Sequence, residues 1–132
     1  MKVHGTFDVK LTTETDAHLA STPMLARRLI AKQFHGGLEA TSIGEMLSAG
    51  TATQGSAAYS AIEQVTGSLA GRRGTFALQH TGIMHRGAAS LTITVVPDSG
   101  TGELEGLTGT MAITIENGGG HVYDLEYQIA ES

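Results

Sequence analysis

The second half of the chain, residues 57–128, alternates apolar and polar side chains between short turns that contain glycine. Alternation with a period of two is typical of antiparallel strands that pack one face and expose the other to water. Turns around residues 71–72, 86–87 and 117–119 and a longer connection at 97–103 divide the stretch, which therefore predicts five strands. The predicted inner face comprises Tyr59, Ala61, Val65, Phe76, Leu78, Leu91, Ile93, Val95, Met111, Ile113, Tyr123, Leu125, Tyr127 and Ile129.

Turn length also predicts which side chains meet, because it determines the register of a hairpin. The first turn, centred on Gly71 and Arg72, sets Glu63 directly opposite His80. The other two turns place apolar residues opposite one another at almost every step, so all three turns agree on one inner face. The further predicted pairs are Val65 with Leu78, Leu78 with Val95, His80 with Ile93, Ile113 with Tyr123, Met111 with Leu125, and Tyr127 with Gly109.

The first half of the chain supplies further strands, although one segment has two interpretations. Residues 2–12 alternate cleanly and predict a first strand. Residues 24–34 are good helix formers, and Pro23 before them suits the first position of a helix. The same residues alternate as well, and a glycine pair leads from them into residues 38–47, which favours a hairpin. A helix and a strand therefore both remain open for residues 24–34.

Charge and composition argue against several classes of function. The formal net charge is -5 and the eight Lys and Arg residues are scattered, which argues against a nucleic-acid-binding surface. No apolar run approaches the ~20 residues that cross a membrane as a helix. The chain has no cysteine, which excludes disulfides and thiolate metal sites and fits a reducing compartment. We therefore expect one cytoplasmic domain over residues 1–132, with no nucleic-acid or membrane partner.

Three runs in the second half carry a resemblance to a known family: YSAIEQVTGSLAGRRGTFALQHTG from Tyr59, VVPDSGTGELEGLTGTM from Val95, and HVYDLEY from His121. With a weaker match at FHGGLEATS from Phe34, the chain resembles small bacterial proteins known only as a domain of unknown function and grouped with the allene oxide cyclase-like barrels. The resemblance implies an all-β, eight-stranded antiparallel up-and-down barrel, usually studied as an oligomer. It implies no established activity, and it favours strands over a helix near residues 34–42.

Glu63 and His80 are the anomalous members of the predicted inner face, because both are ionisable among apolar neighbours. The Cβ atoms of directly opposed residues lie about 4.5–5.5 Å apart, so the two side chains can share a hydrogen bond. Such a pair can shuttle a proton, with a tyrosine hydroxyl holding a carbonyl or epoxide oxygen. It can equally be two buried polar groups that satisfy each other and help to set the register.

An eight-stranded barrel is wide enough to be filled by side chains or to hold one small ligand. Small inner residues such as Gly82 can leave space inside the barrel or make room for aromatic rings. If a cavity exists, we expect Tyr59, Tyr127, Phe76 and His121 to bind its ligand beside the Glu63–His80 pair.

Two kinds of function follow from these expectations. The first is a barrel that binds a small apolar or amphipathic molecule or acts as an oligomeric interaction module. The second is a cofactor-free isomerase, cyclase or lyase with Glu63, His80 and a tyrosine as its catalytic groups. We expect no cofactor and no metal, because the sequence lacks a converging set of ligands. Candidates for a homo-oligomer interface are the outward apolar residues Ile43, Ile62 and Val96.

Overall fold

The computed structural model describes residues 1–14 and 17–130. These residues form eight strands that pair antiparallel in chain order and close into a barrel, as the sequence predicts. A short 3₁₀ turn, Gly102–Leu104, lies in the connection between the sixth and seventh strands. The strands are β1 (Lys2–Glu14), β2 (Leu25–Gly36), β3 (Leu38–Gly50), β4 (Ala57–Leu69), β5 (Arg72–His85), β6 (Ala88–Val95), β7 (Leu107–Ile115) and β8 (His121–Ile129).

The segment with two interpretations is a strand. β2 pairs with β1 on one side and with β3 on the other, so both edges of its backbone find partners. Its inner side chains Ile30, Lys32 and Phe34 are buried, as the alternating interpretation requires. Helix propensity amounts to tenths of a kcal/mol per residue, and the burial of one strand face inside a barrel outweighs it.

The predicted register of the β4–β5 hairpin is wrong by two residues, whereas the predicted registers of the β5–β6 and β7–β8 hairpins are confirmed. The turn between β4 and β5 is formed by Ala70 and Gly71, both with positive φ, so Glu63 faces Leu78 rather than His80. Val65 accordingly faces Phe76. Because side chains alternate with a period of two, this shift leaves every residue on its predicted face.

One end of the barrel is filled by apolar side chains, and Leu104 of the 3₁₀ turn joins this core from the connecting loop. The buried Tyr123 hydroxyl accepts a hydrogen bond from the Leu38 N–H and donates one to the His35 carbonyl oxygen, both at 2.9 Å. These bonds hold the turn between β2 and β3 against the core. We call this end the packed half; its fully buried members are Phe34, Leu38, Val65, Leu69, Phe76, Leu78, Ile93, Leu104, Leu107, Tyr123 and Leu125.

At the opposite end, side chains of the inner face reach water. Leu91 and Ile115 continue the inward-facing rows of β6 and β7, yet they are 43% and 68% exposed. The ladder between β6 and β7 contains two residue pairs, whereas β6 pairs with β5 along its whole length. We call this end the open half. No helix in the described ranges is long and apolar enough to cross a membrane.

Candidate functional site

Four polar side chains meet inside the barrel. The Glu63 carboxylate accepts three hydrogen bonds, from Lys32 Nζ (2.8 Å) and His80 Nε2 (2.6 Å) at Oε2, and from Ser42 Oγ (2.8 Å) at Oε1. All four residues are buried, and every buried polar side-chain atom within the described part of the chain has a hydrogen-bond partner. We call Lys32, Ser42, Glu63 and His80 the polar cluster.

The cluster forms because four consecutive strands point these residues to the same face. Lys32 comes from β2, Ser42 from β3, Glu63 from β4 and His80 from β5. β3 separates β2 from β4, so Lys32 reaches Glu63 across a strand rather than along a hairpin. Gly44 lies opposite Glu63 on β3, where a Cβ atom would come within 2.8 Å of Glu63 Cβ. Glycine therefore leaves room for the carboxylate to meet its partners.

Two aromatic rings hold the Lys32 ammonium as well. Lys32 Nζ lies 5.0 Å from the centroid of the Phe7 ring and 5.7 Å from that of Phe34. A cation at this distance is attracted by the electron-rich face of the ring, and the attraction grows when water is excluded. The ammonium is thus bounded by one carboxylate and two rings.

The charge state of Glu63 follows from competing effects. Burial alone would raise the pKa of this carboxyl, but the hydrogen bond from His80 and the charge and hydrogen bond of Lys32 outweigh burial and lower the pKa to about 2. Glu63 is therefore ionised at neutral pH and accepts hydrogen bonds only. It follows that His80 Nε2 carries the hydrogen that Glu63 Oε2 receives.

His80 and Tyr59 each keep one polar atom available. His80 Nδ1 and the Tyr59 hydroxyl make no hydrogen bond with any described residue, and the two rings lie 6.5 Å apart between centroids. Because no buried polar atom in this part of the chain is unsatisfied, both atoms must be reached by solvent. Burial, reinforced by the nearby charge of Glu63, raises the pKa of Tyr59, so its hydroxyl stays a donor at neutral pH.

A cavity of about 460 Å³ lies in the open half. Its volume falls within the range of about 300–1,000 Å³ that small-molecule pockets occupy. Tyr59 lines the cavity and stacks obliquely on His80, so it connects the cavity to the polar cluster. The lining residues on the inward-facing rows are Arg28, Met46, Ser48, Gly50, Ala57, Tyr59, Gly82, Met84, Ala89 and Leu91.

The structure brings some of the predicted site residues together and separates others. Glu63 and His80 share a hydrogen bond although they are diagonal neighbours, and Tyr59 lies beside them. Phe76 and Tyr127 are buried in the apolar core of the packed half, away from the cavity. His121 lies at the start of β8 against Phe7, with ring centroids 5.0 Å apart.

Sequence reasoning missed Lys32, Ser42 and Arg28 as site residues. The signal for the two cations was the alternation of β2, because residues 26, 28, 30, 32 and 34 share the face on which Ile30 and Phe34 are buried. A lysine between two buried apolar residues needs a buried anion, and Glu63 is the carboxylate that the inner face supplies. Ser42 carried no such signal, since serine is common on either face of a strand.

The polar cluster can do two things chemically. An ionised Glu63 that orients His80 through Nε2 leaves Nδ1 as the ring nitrogen that can accept a proton. The same contacts also satisfy four buried polar groups and hold four strands in register. Among the residues that the structure describes, no three His, Asp or Glu side chains converge as a metal site would require.

Comparisons with known proteins cover almost the whole chain. The profile of the DUF3224 family, described as a protein of unknown function, matches residues 3–127. A crystal structure of a protein with unknown function from the DUF3224 family of Shewanella oneidensis MR-1 has 53% sequence identity to this chain and a TM-score of 0.93. The match covers 100% of this chain and 98% of that one. No curated protein matches the chain.

Proposed function

The chain belongs to the DUF3224 family, and we propose that the open half of its barrel binds a small apolar or amphipathic molecule. The observation that carries this proposal is the exposure of apolar side chains on the inner face. Leu91 and Met84 lie on the inward-facing rows of β6 and β5 and line the cavity, yet they are 43% and 39% exposed. A barrel that served only as a compact scaffold would bury these side chains, as the packed half buries its own.

A ligand in this cavity gains free energy mainly by removing those side chains from water. Burial of apolar surface contributes about 25 cal/mol per Å². Tyr59 and Ser48 line the cavity and supply polar hydroxyl groups in its wall. Pockets that combine an apolar lining with a few convergent polar groups are typical of small-molecule sites. The combination favours an amphipathic ligand over a purely apolar one.

The proposal is tested by placing a charge in the cavity. Leu91→Glu adds a carboxylate where the ligand's apolar part would lie, whereas Thr92→Glu adds the same charge one residue away on the outer face of β6. We expect 1-octanol to shift the NMR signals of Tyr59 and Leu91 in the wild-type protein and in Thr92→Glu. We expect no such shifts at Tyr59 in Leu91→Glu. Equal binding to both variants would contradict the proposal.

A second proposal concerns the outer wall, where we infer that two copies of the chain associate. Ile43 and Ile62 lie on neighbouring strands of this wall and are 71% and 57% exposed. Leu47 is exposed four residues further along β3, beyond the exposed Glu45. Contiguous exposed apolar residues are typical of association surfaces. Val96, the third residue predicted for this interface, is half-buried and lies outside this group.

Three finer expectations stay predictions. The enzymatic alternative needs turnover that depends on the Glu63 carboxylate, and Glu63→Gln would abolish such turnover while leaving ligand binding intact. The grouping with allene oxide cyclase-like barrels is supported by the closed eight-stranded architecture. The cytoplasmic location rests on the sequence argument alone.

A further inference from the structure

The inner face of the barrel has a charge opposite to that of the protein as a whole. The formal net charge of the chain is -5. Strand alternation places three permanent cations, Arg28, Lys32 and Arg72, on the inward-facing rows of the eight strands, together with one carboxylate, Glu63. Arg72 is exposed at the first position of β5, at the packed end of the barrel. Lys32 and Glu63 neutralise each other at 2.8 Å. Arg28 therefore leaves one net positive charge in the open half, where it lines the cavity.

Arg28 lies at the cavity rather than in the polar cluster. It lines the cavity, and its Nη1 donates a long hydrogen bond of 3.5 Å to Ser48 Oγ on the adjacent strand. No carboxylate within the described ranges forms an ion pair with it. The neighbouring Arg27 faces outward and pairs with Glu45 at 2.6 Å. The two adjacent arginines therefore lie on opposite faces of β2, one in an ion pair on the outer wall and the other at the cavity.

We infer that the ligand of the open half is an anionic amphiphile whose carboxylate binds the Arg28 guanidinium. This inference rests on the proposed function. The planar guanidinium can donate two parallel hydrogen bonds to a carboxylate, and such charge-assisted bonds are about twice as strong as neutral ones. An apolar lining lowers the local dielectric constant and strengthens that attraction further. The apolar chain of the ligand then lies against Leu91 and Met84.

The charges on the inner face also argue against a cationic ligand. A cationic amphiphile would meet Arg28 as a like charge, and Glu63 is already occupied by three donors. A neutral amphiphile would gain the apolar contacts and would leave the guanidinium without an anion. An anionic, a neutral and a cationic amphiphile with the same alkyl chain should therefore differ in affinity because of their charge alone.

Titration calorimetry with octanoate, 1-octanol and octylammonium tests the inference. We expect the wild-type protein to bind octanoate about tenfold or more tighter than 1-octanol, the ratio expected of one charge-assisted hydrogen-bonded contact. Octylammonium should bind weakest. Added NaCl should reduce the preference for octanoate, because salt screens the partly exposed guanidinium.

Variants at the two arginines supply the matched comparison. Arg28→Gln should bring octanoate to the affinity of 1-octanol, whereas Arg28→Lys should retain part of the preference. Arg27→Gln removes an outward-facing guanidinium from the adjacent position and should retain all of it.

The possible results separate this inference from the function on which it rests. If octanoate and 1-octanol bind equally to the wild-type protein, or if Arg28→Gln retains the preference, the role of Arg28 is overturned while ligand binding stands. If none of the three probes binds, the proposed function fails and the inference fails with it.

Discussion

Lys32 Nζ lies 2.8 Å from Glu63 Oε2 although β2 and β4, which carry the two residues, are separated by β3. The lysine side chain is 6% exposed and the glutamate side chain is fully buried. An ion pair of this kind lies between an apolar core and a water-accessible cavity, where either residue alone would be an unpaired charge. Its energetics therefore bear on both the stability of the barrel and the properties of the cavity.

Removing one charge of this pair should destabilise the barrel strongly. Glu63→Gln leaves the Lys32 ammonium buried beside two aromatic rings without a counter-ion. Breaking a buried ion pair in this way costs about 3–5 kcal/mol. Urea unfolding monitored by circular dichroism measures the loss. The double variant Lys32→Met/Glu63→Gln should lose less than the sum of the single changes, because no charge is then left unpaired.

The single and double variants at Lys32 and Glu63 form a double-mutant cycle. Its control is the exposed ion pair of Arg27 and Glu45, which joins adjacent strands on the outer wall at 2.6 Å. Water screens that pair, so the corresponding double-mutant cycle should show little coupling. Strictly additive losses of unfolding free energy at Lys32 and Glu63 would show that the two buried charges do not stabilise each other.

Acid should remove part of the barrel's stability through Glu63. Its pKa is about 2 in the folded protein, below the value of about 4.3 in an unfolded chain. The stabilisation is therefore complete above the unfolded pKa and is lost as pH falls through the folded one, by an amount on the order of 3 kcal/mol. The free energy of unfolding should fall more steeply between pH 5 and about pH 2 in the wild-type protein than in Glu63→Gln.

Glu45→Gln supplies the comparison for this pH dependence. The hydrogen bond from Arg27 lowers the pKa of Glu45 too, but this carboxylate is exposed to solvent. Its replacement should alter the slope much less than Glu63→Gln does. Equal slopes for the two variants would show that Glu63 is not ionised at low pH in the folded state.

A methyl group at Gly82 should move Tyr59. The two residues face each other across β4 and β5, and a Cβ atom at Gly82 would overlap the Tyr59 ring. Overpacking of this kind costs about 1–3 kcal/mol. We expect Gly82→Ala to lower the unfolding free energy by that amount and to weaken 1-octanol binding. Gly120→Ala is the control, because it lies outside the cavity and its Cβ atom would meet only Glu116 Oε1, at 3.6 Å.

Loss of the Tyr59 ring should rescue the Gly82 variant. In a Tyr59→Leu background the added methyl group has space, so Gly82→Ala should cost less there than in the wild-type protein. An equal cost in both backgrounds would place the strain elsewhere than at the tyrosine.

Much of the barrel could be predicted from turn chemistry and alternation. Arg86 and Gly87 occupy the β5–β6 turn with positive φ at both positions, and the registers of β5 with β6 and of β7 with β8 follow from the sequence. The β4–β5 turn was predicted one residue too late because it uses Ala70, with φ of 49°, where alanine is uncommon. That error changed the partner of Glu63 and left its face unchanged.

The candidate site was harder to predict than the strands. The contact between Glu63 and His80 joins adjacent strands and was accessible to hairpin reasoning. The contact between Lys32 and Glu63 depends on the curvature of three strands around the axis of a closed barrel. Local pairing rules carry no information about that curvature. In addition, Lys32 can be assigned to the inner face only once residues 24–34 are known to form a strand rather than a helix.

Substitutions on the outer wall should change the oligomeric state. We expect the wild-type protein to scatter light with twice the 13.7 kDa mass of one chain. Ile43→Lys and Ile62→Lys add a charge to the exposed apolar surface and should reduce the measured mass to that of one chain. Thr108→Lys, which adds the same charge at an exposed position of β7, should leave the mass unchanged. A one-chain mass for the wild-type protein would refute self-association.

Hydrogen exchange should be fastest where the barrel wall is weakest. β6 and β7 pair at two positions, Ile93 with Met111 and Thr94 with Thr110. Residues 88–92 of β6 precede these pairs and are exposed on both faces. Their amides should exchange faster than those of residues 61–65 in β4, which has full ladders on both sides. Octanoate should slow exchange at residues 88–92, because a ligand against Leu91 stabilises the closed wall and leaves β4 nearly unaffected. Uniform protection across both strands would show that the weak ladder does not open.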